Sequence, residues 1–303
     1  MPRTIAITGS SGLIGKALAG HLAARGDLVV ALVRRPPRTS AEREWDPSNE
    51  RLDPTELRDV STVVNLAGAG VGDHRWTTEH RSAILGSRVS GTRTLATAIL
   101  ASGRPIALVN GSAVGFYGDR GDDILTEESG PGLGFLAEVT RAWEGATAPL
   151  VDAGLPVSMA RTGIVLAGQG GALAPLLRLG RLGLAGPIGS GKQFWPVISL
   201  ADEVAALTFL IDHPEVTGPA NVVGPEPVRQ GDLARALGSQ LHRPAFLPAP
   251  KAALRLVLGE FAGEITGSQR ALPERLLAAG FEYRHRTAAQ ALAWALDPNS
   301  HPS

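Results

Sequence analysis

The chain has 303 residues, no cysteine, and 29 basic against 29 acidic side chains, which argues against a disulfide-stapled scaffold, a zinc-thiolate protein and a strongly basic nucleic-acid binder. With 44% hydrophobic residues it can bury a substantial core, and at this length one large α/β domain, or a domain plus a lobe, is expected. No apolar run approaches the ~18 residues of a membrane span and the start, MPRTIAITGSSG, is too short an apolar run for a signal peptide, so a cytoplasmic protein without membrane or nucleic-acid partners is expected.

The first half alternates β-branched runs with amphipathic stretches. TIAIT (4–8) reads as a buried strand, 13–25 as a helix closed by Gly26, and LVVALV (28–33) as a second strand. TVVNL (62–66) is followed by a helical pattern over 77–100, then by IALVN (106–110), a helix over 133–153 and the run VSMARTGIVL (157–166). This order predicts a doubly wound parallel α/β sheet of Rossmann type over 1–165. From about 166 the texture turns Gly/Pro-rich, which predicts a smaller substrate-side lobe over 166–303 with some elements returning to the main sheet; DPNSHPS at the end reads as a frayed tail.

The strongest motif is TGSSGLIG (8–15), a G-x-x-G-x-x-G arrangement at a strand-to-helix junction. Gly9 permits the sharp turn, Gly12 lets backbone approach a pyrophosphate and Gly15 allows close helix–sheet contact, while Ser10, Ser11, Leu13 and Ile14 complete the loop and helix start. At the end of the second strand, where an acidic residue would bind the ribose hydroxyls of NAD, stand Arg34 and Arg35. Guanidinium groups bind a 2′-phosphate, so NADP(H) is expected, with Arg34 favoured; the plain alternative is two solvated arginines. Leu66, Ala67 and Gly68, after Asn65, are small or apolar residues suited to lie beside the adenosine, and Arg88 either reaches the diphosphate or decorates a helix surface.

Several segments together resemble one family: TGSSGLIG, VVNLAGAGV, RWTTEHRSAILGSRVSGTRTL, SAVGFYGDRGDDILTEES, GFLAEVTRAWE, RTGIVLAGQGGAL, GLAGPIGSGKQFWPVI and the C-terminal LGEFAGEITGSQRALPERLLAAGFEYR. The chain resembles the atypical short-chain dehydrogenase/reductases called epimerase family proteins, sugar-nucleotide-epimerase-like, ending in a domain of unknown function at about 245–295. The resemblance implies an extended short-chain-reductase fold, a nicotinamide cofactor and a role for Val165 in RTGIVL at the cofactor. Two positions depart from the family pattern: Ser199 stands where a histidine is common, and Gly134 where Asp usually precedes the aromatic residue.

Short-chain reductases use a tyrosine with a lysine four residues later, and the chain has two tyrosines, Tyr117 and Tyr283, followed at that distance by Gly121 and Thr287. The segment GFLAEVTRAWE, where the pair belongs, offers neither. Ser112 is left to polarise a substrate oxygen and Tyr117 to act as acid, or Tyr117 packs; Glu144 reads as a structural helix residue. GPIGSGKQ (186–193) imitates a phosphate loop but carries Gln193 where magnesium needs a hydroxyl. The histidines lack metal-ligand spacing. Two functions follow: an NADP(H)-dependent oxidoreductase or epimerase on a small molecule such as a sugar nucleotide or carbonyl compound, or a catalytically silent, NADP(H)-bound sensor. Either is expected as a monomer or homodimer.

Overall fold

Crossover helices on both sides leave the first strand no polar face, and TIAIT is buried at every position. The computed structural model describes residues 2–171 and 173–297, so residues 298–303 of the expected tail lie outside it. The elements begin β1 (Thr4–Thr8), α1 (Leu13–Ala24), β2 (Leu28–Val33), β3 (Glu42–Glu44), β4 (Val60–Asn65), α2 (Thr78–Ala101), β5 (Ala107–Ala113), β6 (Ile124–Leu125), α3 (Phe135–Gly145) and α4 (Ala148–Asp152). They continue with β7 (Val157–Thr162), β8 (Ile164–Leu166), α5 (Leu173–Arg181), β9 (Phe194–Trp195), β10 (Val197–Ser199), α6 (Leu200–Asp212), β11 (Gly218–Val222), β12 (Val228–Arg229), α7 (Gln230–Gln240), α8 (Lys251–Leu258), α9 (Phe261–Thr266), β13 (Arg270–Ala271), α10 (Glu274–Ala278) and α11 (Ala288–Leu296).

The chain divides into two compact units. The first comprises Met1–Ser112, Glu138–Ala160 and Val204–Ala220. It holds most of a seven-stranded sheet of order β11-β7-β5-β4-β1-β2-β3, in which β5-β4-β1-β2-β3 pair in parallel. Leu57, Val63, Leu95, Ile99, Leu108 and Leu150 form its core with the Trp45 ring. The register aligns Thr8 with Asn65 and Asn65 with Asn110, so three neighbouring strands share a buried polar row that lies at the last residue of β1 and of β4 and in the middle of β5.

The second unit comprises Ala113–Ala137, Arg161–Glu203 and Asn221–Ser303. Its pairs β8/β10 and β6/β13 are parallel and β9/β12 antiparallel. Leu166, Leu173, Trp195, Leu237 and Leu292 are among its core. Helix α11 starts at a capping box: Thr287 accepts from the Gln290 amide, and the Gln290 side chain accepts from the Thr287 amide. Each unit is thus assembled from three stretches of chain, with Val204–Ala220 joining the first unit from beyond the boundary expected near residue 165.

The expected helix over 133–153 is two helices, α3 and α4. Pro149 stands in the first turn of α4, where its missing N–H costs nothing, and the chain re-initiates there. The expected strand over 157–166 breaks at Gly163, where a Cβ would lie 2.1 Å from the Pro196 carbonyl oxygen. Gly163 N–H donates to Val222 O and Ile164 N–H to Pro196 O, so the chain changes partners within one apolar run. The edge strand β3, with the charged sequence ERE, was not expected.

Candidate functional site

In the first unit, the loop from β1 to α1 is built around glycine. Gly9 has φ +68°, and a Cβ there would lie 2.7 Å from Leu66 O; one on Gly15 would lie 2.2 Å from Gly9 O. Both collisions are with backbone, so neither neighbour can yield. Gly12 caps α1 without a side-chain hydrogen bond, leaving the first-turn amides of Leu13, Ile14 and Gly15 without a cap from it. Ser10 is half-buried and Ser11 exposed beside them.

The second wall of the cradle is Leu66–Ala67–Gly68. Thr8 Oγ1 accepts from the amides of Leu66 and Ala67 at 3.1 Å each and donates to Asn65 Oδ1 at 2.7 Å. Asn65 Nδ2 donates in turn to Thr92 Oγ1 and to Asn110 Oδ1. This buried network ties the ends of β1 and β4 to the middle of β5 and holds the loops that leave β1 and β4. Thr8 opens the glycine motif and Asn65 precedes the Leu66 wall in sequence, whereas Thr92 and Asn110 carried no motif of their own.

Arg88 of α2 lies against this wall. A Cβ on Gly68 would meet its Cζ at 3.0 Å, and the guanidinium sits 5.1 Å from the Trp143 ring centroid. Nη1 donates to Ala69 O at 2.9 Å and Ile84 O at 3.1 Å. Nε and Nη2 have no partner among the described residues, and no carboxylate pairs with the group. Burial alone lowers its pKa to about 10. It is a desolvated cation without an anion.

Past β2 the two arginines part company. Arg35 is bidentate to Glu42 of β3, at 2.6 and 2.9 Å, and this contact holds the Glu42 carboxyl at about 2. Arg34 is exposed and has no side-chain partner among the described residues. Of the two, Arg34 presents a guanidinium without a carboxylate partner among the described residues, whereas the fork of Arg35 is engaged by Glu42.

The candidate acid–base residues are distributed between the two units. Ser112 closes the first unit's part of β5, is 4% exposed, and donates from Oγ to Glu144 Oε1 of α3 at 2.6 Å. Glu144, expected as structural, is therefore the group in direct contact with Ser112. Trp143 beside it packs on Gly111, where a Cβ would come within 3.0 Å of the ring.

Tyr117, in the second unit, is wholly buried. Its one hydroxyl hydrogen has two acceptors in reach, Asn221 Oδ1 (2.7 Å) and Thr126 O (3.0 Å), and the oxygen accepts from Arg161 Nη1 (2.9 Å). Arg161 also stacks 3.6 Å over the Phe116 ring. Burial pushes the Tyr117 phenol up, with Arg161 opposing. Of the two roles expected for Tyr117, acid or packing residue, these contacts suit the second: the hydroxyl is enclosed and engaged by its neighbours. Tyr117→Phe is expected to lower stability by about 1–3 kcal/mol, because Arg161 and Asn221 lose a buried partner, and to leave dinucleotide affinity unchanged. Calorimetry and a binding titration check both.

Elsewhere in the second unit, Val165 lies buried in β8, paired with Ile198 of β10. GPIGSGKQ runs directly into strand β9, so no helix N-terminus follows it to receive a phosphate. Ser199 caps α6, accepting from the Asp202 amide at 3.0 Å, and its Oγ lies 2.9 Å from His285 Nδ1. An imidazole from the C-terminal segment thus stands beside position 199. Asp202 Oδ2 approaches the same Nδ1 at 3.3 Å, so serine and aspartate share one ring nitrogen and no proton relay through the ring connects them. Among the described residues no His/Asp/Glu group is arranged to hold a metal, and no helix is long and apolar enough to cross a membrane.

Comparison with known proteins adds a family. Residues 5–132 match the NAD dependent epimerase/dehydratase family, and residues 249–295 match a domain of unknown function. An epimerase family protein of Mycobacterium leprae is 42% identical over 96% of this chain and 95% of its own, and a chloroplastic SDR39U1 homolog of Arabidopsis thaliana is 35% identical over 95% and 85%. The crystal structure of human epimerase family protein SDR39U1 with NADPH superposes with TM-score 0.87 at 31% identity, covering 97% of this chain and 99% of that one.

Proposed function

The chain belongs to the epimerase family proteins of the short-chain dehydrogenase/reductase class, and we propose that it is an NADP(H)-dependent oxidoreductase or epimerase acting in the cytoplasm on a small molecule such as a sugar nucleotide. The observation that carries the cofactor reading is Arg88, a half-buried cation with no carboxylate partner among the described residues, set against a glycine wall that a Cβ would fill. A diphosphate fits such a cradle: first-turn amides of α1 on one side, a guanidinium on the other. The unpaired Arg34 takes the 2′-phosphate, and the human relative's structure contains NADPH. When bound, the nicotinamide supplies hydride transfer at a substrate carbon. The chain's own part is to hold the diphosphate at the Gly9–Gly15 turn, keep the strand ends fixed, and provide a proton acceptor at Ser112 and Glu144.

The sensor reading draws on the missing tyrosine–lysine pair. The Ser112–Glu144 contact favours the enzyme, because it gives the site a titratable group where the usual pair is absent.

Arg34→Asp tests the cofactor choice. Its dissociation constant for NADPH is expected to rise about 10- to 100-fold, and that for NADH to change little, as one charge-assisted contact is lost. Equal loss for both nucleotides would remove the 2′-phosphate assignment.

A further inference from the structure

Ser112 has one hydroxyl hydrogen and two lone pairs. That hydrogen is committed to Glu144 Oε1 at 2.6 Å, and Oγ has no other partner among the described residues. A hydroxyl donating to a carboxylate turns only lone pairs towards a third group. It accepts from an alcohol and has nothing to give to a carbonyl oxygen. The spacing of α3 sharpens this: Leu136, Thr140 and Glu144 recur every four residues and share a helix face. Glu144 carries the one carboxyl group among these three. Trp143, packed on Gly111, fixes the helix against β5 at this point.

We propose, resting on the NADP(H) reading above, that Glu144 is a positioning residue that makes Ser112 a hydrogen-bond acceptor, so that the site takes its substrate as an alcohol and draws off the hydroxyl proton. The substrate O–H bond breaks, its proton passing to Ser112 Oγ while the Ser112 proton passes to Glu144 Oε1. The O–H electron pair closes the C=O bond as the C–H hydrogen leaves with its pair to the oxidised nicotinamide dinucleotide, the two-electron oxidant. The alcohol becomes a carbonyl compound, the dinucleotide is reduced, and Glu144 holds the proton until water takes it. In this assignment Ser112 touches the reacting oxygen and Glu144 acts through it, which reverses the polarity expected of Ser112 from sequence.

The direction of the Ser112–Glu144 hydrogen bond is directly observable. Infrared difference spectra of glutamate-labelled protein without cofactor, wild type minus Glu144→Gln at neutral pH, are expected to show a carboxylate stretch that shifts in Ser112→Ala and is restored in Ser112→Thr. A protonated carboxyl stretch overturns the proposal, because Glu144 would then donate and the Ser112 hydrogen would point outward. If Glu144→Gln does not fold, wild type against Ser112→Ala gives the same comparison. Function follows the same polarity: the affinity ratio for cyclohexanol over cyclohexanone, read by saturation-transfer NMR, is expected to fall on the order of 10-fold in Glu144→Ala. An unchanged ratio overturns it. Protein that gives the carboxylate band but binds no NADPH fails the cofactor reading; protein that binds NADPH but gives the carboxyl band fails this one.

Discussion

Replacing Arg88 with methionine is expected to raise the NADPH dissociation constant roughly 10- to 100-fold while leaving the melting temperature unchanged or higher. The two effects have one cause. The guanidinium is desolvated enough to bring its pKa to about 10, it has no carboxylate, and its two hydrogen bonds go from a single nitrogen to main-chain carbonyls. Such a cation costs folding free energy that a phosphate would offset on binding. Methionine keeps an unbranched side chain against Trp143 and removes the charge. NADPH and NADH are expected to lose affinity alike, since both carry the diphosphate, in contrast to Arg34→Asp. Fluorescence titration with each nucleotide and differential scanning calorimetry measure the pair of effects. A variant that melts several degrees lower with affinity intact would make Arg88 a structural cation and remove the diphosphate assignment.

What the sequence made legible was local. The first two strands, the glycine turn and the start of α2 lie within a residue or two of their expected positions, because each has its own signal: an unbroken apolar run, Gly9 at positive φ, Thr77 accepting from the His80 amide. The failures are places where the partner decides. Leu150 continues the apolar pattern of α3, so periodicity joined two helices across Gly145. The run through Gly163 is apolar on both sides, and nothing in its pattern says that Ile164–Leu166 pairs with β10. Strand β3 is three charged residues at a sheet edge, short and polar as edges tend to be. The site divides in the same way. Gly9, Gly12 and Gly15 were readable as a motif, whereas Ser112 and Glu144 are separated by 32 positions and meet only through the packing of α3 on β5. Arg34 was favoured over Arg35 from sequence, but the contact that sets them apart, Arg35 with Glu42, depends on β3 bringing Glu42 alongside.

Glu203→Gln is expected to remove a large pH-dependent element of stability from the second unit. Glu203 is completely buried; Thr162 Oγ1 donates to its Oε1 at 2.8 Å, and Oε2 has no partner. Burial raises its pKa from 4.5 to about 8, against the lowering effect of Thr162, so desolvation outweighs both that hydrogen bond and the α6 N-terminus on which it sits. The unfolded chain releases this proton near 4.5 and the folded chain near 8. Its contribution is therefore fully present below 4.5, declines as pH rises through that window, and is lost above about 8. Across the window the loss is roughly 3–5 kcal/mol. Glutamine carries no charge at any pH, and it keeps an oxygen for Thr162. Denaturant unfolding at pH 5 and pH 8 is thus expected to find wild type and variant similar at the lower pH and the variant more stable by several kcal/mol at the higher, every other titrating group being common to both. Parallel pH profiles for the two proteins would mean that Glu203 ionises in the folded state much as it does in water. Thr162→Val discriminates further: with the lowering hydrogen bond gone, the decline should extend to still higher pH, and only if Glu203 is the group responsible.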